Sequence, residues 1–142
     1  MDKSLTFSKS IEINASAEDI WDALTNPEKI KVYLFETKTI TDWKVGNPIV
    51  FQGEYDGHTY KDKGNVLENV PNTLIKYNYW SGFSGLEDTL ENYSTVSYSI
   101  EQGTDACTLT WTQEGFSSEE NRQHSENGLP AMLEQLKNLV DL

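Results

Sequence analysis

Between residues 36 and 113 apolar and polar side chains alternate in one short run after another, and beyond residue 117 the apolar spacing becomes that of a helix. Period-two alternation belongs to strands with one buried face, and a 3-1-3-3-1 spacing to a helix with one buried stripe. Laying that stripe on the shared face of a sheet is one good way to bury both. The runs are Thr37–Thr41; Ile49, Phe51, Gly53 and Tyr55; Tyr60, Gly64 and Val66; Ile75, Tyr77 and Tyr79; Val96, Tyr98 and Ile100; and Cys107, Leu109 and Trp111. Turn signals separate them, among them Asp56-Gly57, Pro71-Asn72 and Gln102-Gly103-Thr104-Asp105. Residues 81–91 form a longer acidic connection whose two glycines suit a lid as well as an ordinary loop.

The ends complete the pattern. Residues 4–13 alternate too, with Leu5, Phe7, Ile11 and Ile13 inward and Lys9 the one polar member of that face. Ser16 then reads as an N-cap with Asp19 three residues on, and Ala17, Ile20, Trp21 and Leu24 form a helical stripe. Pro27 opens a second short helix with Ile30, Tyr33 and Leu34 on its apolar side. In the tail, Ser117 with Glu120 reads as a capping box, followed by the stripe Leu129, Met132, Leu133, Leu136, Leu139 and Val140. Pro130 removes one helical donor, so a kink is expected near Gly128. A helix over 118–141 spans roughly 36 Å, enough to cross a sheet. The expected fold is α+β: a curved antiparallel sheet of about six to seven strands wrapped around a long C-terminal helix, with two short helices after the first strand. The 142 residues contain no repeat or linker, so one domain over 1–142 is expected.

Charge and motifs exclude several functions. The formal net charge of −12 repels phosphate, which argues against nucleic acid and anionic lipid surfaces. No apolar run is long enough for a membrane span, and the opening MDKSLTFSKS lacks the apolar core of a secretory signal. The single cysteine, Cys107, suits a reducing cytoplasm and is expected to be a buried structural thiol. HExxH, CxxC, GxSxG, GxGxxG and the phosphate-loop pattern are all absent, so no metal, cofactor or catalytic residue is assigned. His58 follows the hairpin glycine and is expected to be solvated, with a polar anchor in a cavity as its sharper role; His124 is expected on the surface. The many carboxylates are expected to be solvated as well.

The unusual composition is aromatic: four Trp, seven Tyr and five Phe in a chain of mean hydropathy −0.59. Phe51, Tyr55, Tyr60, Tyr77, Tyr79, Tyr98 and Trp111 all fall on inward strand faces. Buried phenols need partners. A face rich in them suits a pocket with an apolar body and a few polar anchors. A ligand would lie between these rings and Leu129, Met132, Leu133 and Leu136. Trp21 and Trp43 are expected to pack a helix and anchor a loop, and Trp80 to sit at the mouth or outside.

Several segments carry a family resemblance. They are the stretch from Ile11-Glu12-Ile13-Asn14-Ala15-Ser16 to Asn26-Pro27-Glu28, Asp42-Trp43-Lys44-Val45-Gly46, Tyr55-Asp56-Gly57, and Lys63-Gly64-Asn65-Val66-Leu67-Glu68. Later come Glu87-Asp88, Glu91-Asn92-Tyr93-Ser94-Thr95-Val96 and Leu109-Thr110-Trp111-Thr112-Gln113. In this order they resemble the START-like (SRPBCC) superfamily and its bacterial AHSA-type branch, related to the activator of the ninety-kilodalton heat-shock protein ATPase. The resemblance spans nearly the whole chain and implies the helix-grip (Bet v-like) fold. It brings no shared catalytic motif, and Gly128-Leu129-Pro130 stands where similar proteins often carry Gly-Trp. Three functions follow as expectations. The first is a cytosolic carrier of a small hydrophobic or amphipathic molecule, a lipid among them. The second is a cofactor-independent cyclase or hydrolase using Tyr60, Tyr77 and His58. The third is a co-chaperone of a heat-shock ATPase.

Overall fold

A computed structural model describes residues 1–141, with every side chain except that of Tyr55. The first strand, β1 (Asp2–Ile13), buries Phe7 and Ile13, and Lys9 on the same face reaches within 3.9 Å of Glu126. Helix α1 (Ala17–Thr25) starts where expected, with Ser16 Oγ accepting from the Asp19 N–H at 3.1 Å. Helix α2 (Pro27–Tyr33) begins with Pro27 and buries Ile30 and Tyr33. Then follow β2 (Lys38–Ile40), β3 (Pro48–Tyr55), β4 (His58–Val70), β5 (Leu74–Tyr79), β6 (Ser94–Gln102), β7 (Cys107–Phe116) and α3 (Glu119–Val140). Among the described residues the seven strands form one antiparallel sheet in the order β1-β7-β6-β5-β4-β3-β2. Asp56 and Gly57 both take positive φ, 51° and 77°, which is the turn that Asp-Gly favours between twisted strands.

The sheet curves around α3, which buries Leu129, Leu133 and Leu136. Each such burial contributes about 2 kcal/mol, which holds a helix whose first half is polar. Three details differ from expectation. The N-cap is Ser118, whose Oγ accepts from the Asn121 N–H at 3.2 Å, because Ser117 Oγ is taken by the Asn121 side-chain amide. The helix runs unbroken through Gly128 and Pro130, with Pro130 on its exposed side. Leu139 is 38% exposed and stands outside the buried stripe. No helix among the described residues is long and apolar enough to cross a membrane.

β4 shapes the concave face. Its first half pairs with β3, from Tyr55↔His58 to Pro48↔Asn65, and its second half pairs with β5, from Val66↔Tyr77 to Val70↔Leu74. Before Val66 it meets β5 through a bridge at Lys63↔Trp80. In the gap the Asn65 N–H turns to the Asn78 side-chain Oδ1 at 2.6 Å. The Asn78 carbonyl presses against Gly64 so closely that a Cβ there would lie 1.7 Å from its oxygen.

Candidate functional site

Asp62 lies on the concave face of β4, between Tyr60 and Gly64 and beside the Lys63↔Trp80 bridge. It is 6% exposed. Tyr79 on β5 donates its hydroxyl to Asp62 Oδ2, while Oδ1 has no hydrogen-bond partner among the described residues. Burial pushes the Asp62 carboxyl above the usual carboxylate range, against hydrogen bonds from Tyr79 and Ser81 that favour its charged form. Burial first, and the Asp62 charge second, push the Tyr79 phenol well above its ordinary value.

Both residues line a cleft of about 270 Å³ at one end of the grip. Trp80, Ser81 and Phe83 close it from the connection after β5, Gln113 and Phe116 from β7, and His124 and Ser125 from the first half of α3. The connection is stitched down. Trp80 Nε1–H donates to the Leu86 carbonyl at 3.2 Å, and the Tyr93 hydroxyl donates to Asp88 Oδ1 at 2.6 Å. The Lys63 ammonium pairs with Asp88, and together with Tyr93 holds that carboxyl below its usual range. A second depression, lined by Glu36, Gln52, Tyr60 and Lys61 among others, has no buried residue in its wall.

The aromatic set read from the sequence divides. Phe51, Tyr77, Tyr98 and Trp111 are buried and in contact in a chain of tilted and edge-on rings, with ring centroids 5.5, 5.7 and 4.3 Å apart. The Tyr77 and Tyr98 hydroxyls share one hydrogen bond, and burial raises both phenols above their ordinary values. Leu129, Leu133 and Leu136 pack into the same core, with Met132 half-buried against it. These residues fill the space between sheet and helix rather than line the cleft. Tyr79 is the member of the set that lines the cleft, and Tyr60 lines the second depression, its hydroxyl bonded to Thr37 Oγ1. The Tyr55 side chain lies outside those described. His58 is exposed at the start of β4, away from the cleft, whereas His124 lines it. Trp80 lines the cleft, and Trp43 ties its loop to α1 through Nε1–H to the Thr25 carbonyl at 2.9 Å. Asp62 is the residue that sequence reasoning misses. The alternation that puts Tyr60, Gly64 and Val66 inward also puts Asp62 inward, but among 23 acidic residues a carboxylate reads as surface.

A curved antiparallel sheet closed on a long C-terminal helix, with its cleft at one end of the grip, is the START-like helix-grip class. The family described as Activator of Hsp90 ATPase homolog 1-like protein matches residues 14–141, and the chain belongs to that family. Among solved structures it is similar to ChR145 from Cytophaga hutchinsonii, 36% identical, covering 98% of this chain and 95% of that one, with a TM-score of 0.82. It shares the fold of the Aha1 dimer from Colwellia psychrerythraea, 17% identical over 96% of each chain with a TM-score of 0.75. The same holds for CalU16 from Micromonospora echinospora, 17% identical over 93% of this chain and 71% of that one, with a TM-score of 0.72. No match is found among curated proteins.

Proposed function

We propose that the protein is a cytosolic binding domain for a small amphipathic molecule, held in the cleft with its polar end at Asp62 and Tyr79 and its body against the neighbouring rings. One observation carries this reading: Asp62 lines the cleft, and its buried Oδ1 has no hydrogen-bond partner among the described residues. Such an acceptor costs about 1–3 kcal/mol in the free protein, and a ligand donor recovers that cost. The aromatic core reaches the cleft wall through Phe51, whose ring centre lies 5.8 Å from that of Tyr79. The volume of about 270 Å³ falls just under the ~300–1,000 Å³ of drug-sized sites and suits a compact molecule better than a two-chain lipid.

A second reading, cofactor-independent catalysis, is favoured by the Asp62 carboxyl, the Tyr79 phenol and the His124 imidazole lining one cleft. It replaces Tyr60, Tyr77 and His58 as acid–base candidates. Activation of a heat-shock ATPase follows from the family's description alone.

The test is native mass spectrometry of freshly expressed protein beside Ser125→Trp, which fills the cleft from α3. The expected result is a stoichiometric small-molecule adduct that the variant lacks. An adduct retained equally by Ser125→Trp puts the ligand elsewhere and overturns the assignment.

A further inference from the structure

The chemistry of the cleft wall is lopsided. It holds a buried carboxyl with one oxygen unpartnered and four aromatic rings, Tyr79, Trp80, Phe83 and Phe116. No Lys or Arg is among the described residues that line it. The nearby ammonium groups are committed elsewhere: Lys63 pairs with Asp88 and lies 6.0 Å from the Trp80 ring centre, and Lys3 donates to the Tyr93 carbonyl. The lining groups able to carry positive charge are Met1 at its amino end and His124.

We propose that the ligand is an organic cation, a primary or secondary amine on an aromatic or apolar body, whose ammonium donates to Asp62 Oδ1. This rests on the binding reading above and names its ligand class. An anion is disfavoured by the buried carboxyl, whose like charge no Lys or Arg among the described lining residues offsets. A neutral alcohol can make the same hydrogen bond, but bonds to a charged partner are about twice as strong. Rings around a cation add attraction, worth more in a desolvated site. The net charge of −12 also steers cations toward the molecule as a whole. The Tyr79 hydroxyl, fixed on Oδ2, holds the carboxyl so that Oδ1 is the free acceptor.

The titratable groups facing Asp62 in the cleft are Tyr79 from β5 and His124 from α3, with Met1 at the rim. Amine binding is therefore expected to weaken as the solution is acidified, when Asp62, whose carboxyl burial pushes above the usual range, takes up a proton.

Three indole probes that differ only in the end group separate the outcomes: tryptamine, tryptophol and indole-3-acetate. Each is titrated calorimetrically into the wild type, Asp62→Asn and Ser125→Trp. The amine is expected to bind at least tenfold more tightly than the alcohol, with no binding of the acetate. Asp62→Asn should bring amine and alcohol to within about twofold of each other, and Ser125→Trp should abolish both. Equal binding of amine and alcohol to wild type, lost in Ser125→Trp, overturns the cation proposal and leaves the cleft standing. Binding unaffected by Ser125→Trp, or none by any probe, overturns both. Each variant's fold is checked by its proton NMR dispersion, and Asp62→Ser, which also removes the carboxyl, serves in place of Asp62→Asn should that variant not fold, with the same loss of discrimination expected.

Discussion

Asp62 and the Tyr77–Tyr98 pair show opposite ways of burying polar groups. Asp62 has a folded pKa above its ordinary value because burial disfavours its charge. Below the ordinary value both the folded and unfolded forms are protonated, and no penalty exists. As pH rises through the folded value, the folded state must ionise a buried group, and stability falls. Asp62→Asn is therefore expected to raise stability by about 1 kcal/mol near neutral pH, seen as a rise of a few degrees in Tm. That gain should shrink as melts are repeated toward pH 4; a gain independent of pH would contradict the account. The two tyrosines carry no such penalty, because each hydroxyl is the other's partner. Tyr77→Phe or Tyr98→Phe alone leaves one hydroxyl stranded and should cost about 1–3 kcal/mol in urea unfolding. The double substitution should cost less than the sum of the two singles, so additive losses would show that the pair is not a unit.

Strands and turns were legible wherever one residue type enforces one geometry. Asp56-Gly57 takes positive φ at both positions, and Ser16 caps α1, as their sequences require. The slip from Ser117 to Ser118 in α3 was not legible, because Asn121 offers both its backbone N–H and its side-chain amide to two adjacent serines. Nor could alternation show that β4 divides its pairing between β3 and β5, since both halves keep the same period. That division puts Gly64 against the Asn78 carbonyl. Gly64→Ala is expected to destabilise the fold by about 2 kcal/mol or more, because backbone, not a flexible side chain, must give way. It should also disturb the amide signals of Asp62 and Tyr79. A Tm unchanged within a degree would mean that the two strands separate easily, and the site would lose its rigid frame.

At the scale of the molecule, the charge of −12 is spread over a fold whose ion pairs, among the described residues, are few and mostly exposed. Self-repulsion should dominate, so Tm is expected to climb as salt rises from about 20 to about 500 mM, over which screening shortens to a few ångströms. A falling Tm would show that attractive pairs outweigh it. The overall architecture was readable because every inward run converges on one helix stripe. The site was only partly readable: Tyr79 was in view, but the inward rings divide between core and cleft according to how tightly α3 closes, which spacing does not encode. The central claim is that the cleft holding Asp62 and Tyr79 is where the molecule meets its ligand. An amide NMR titration with a panel of small aromatic amines and alcohols tests it most directly. Shifts are expected to concentrate at Tyr79–Ser84, Gln113–Phe116 and Asn121–Ser125. Shifts centred on the outer face of the sheet or on the second depression around Tyr60, or none across the panel, would contradict it.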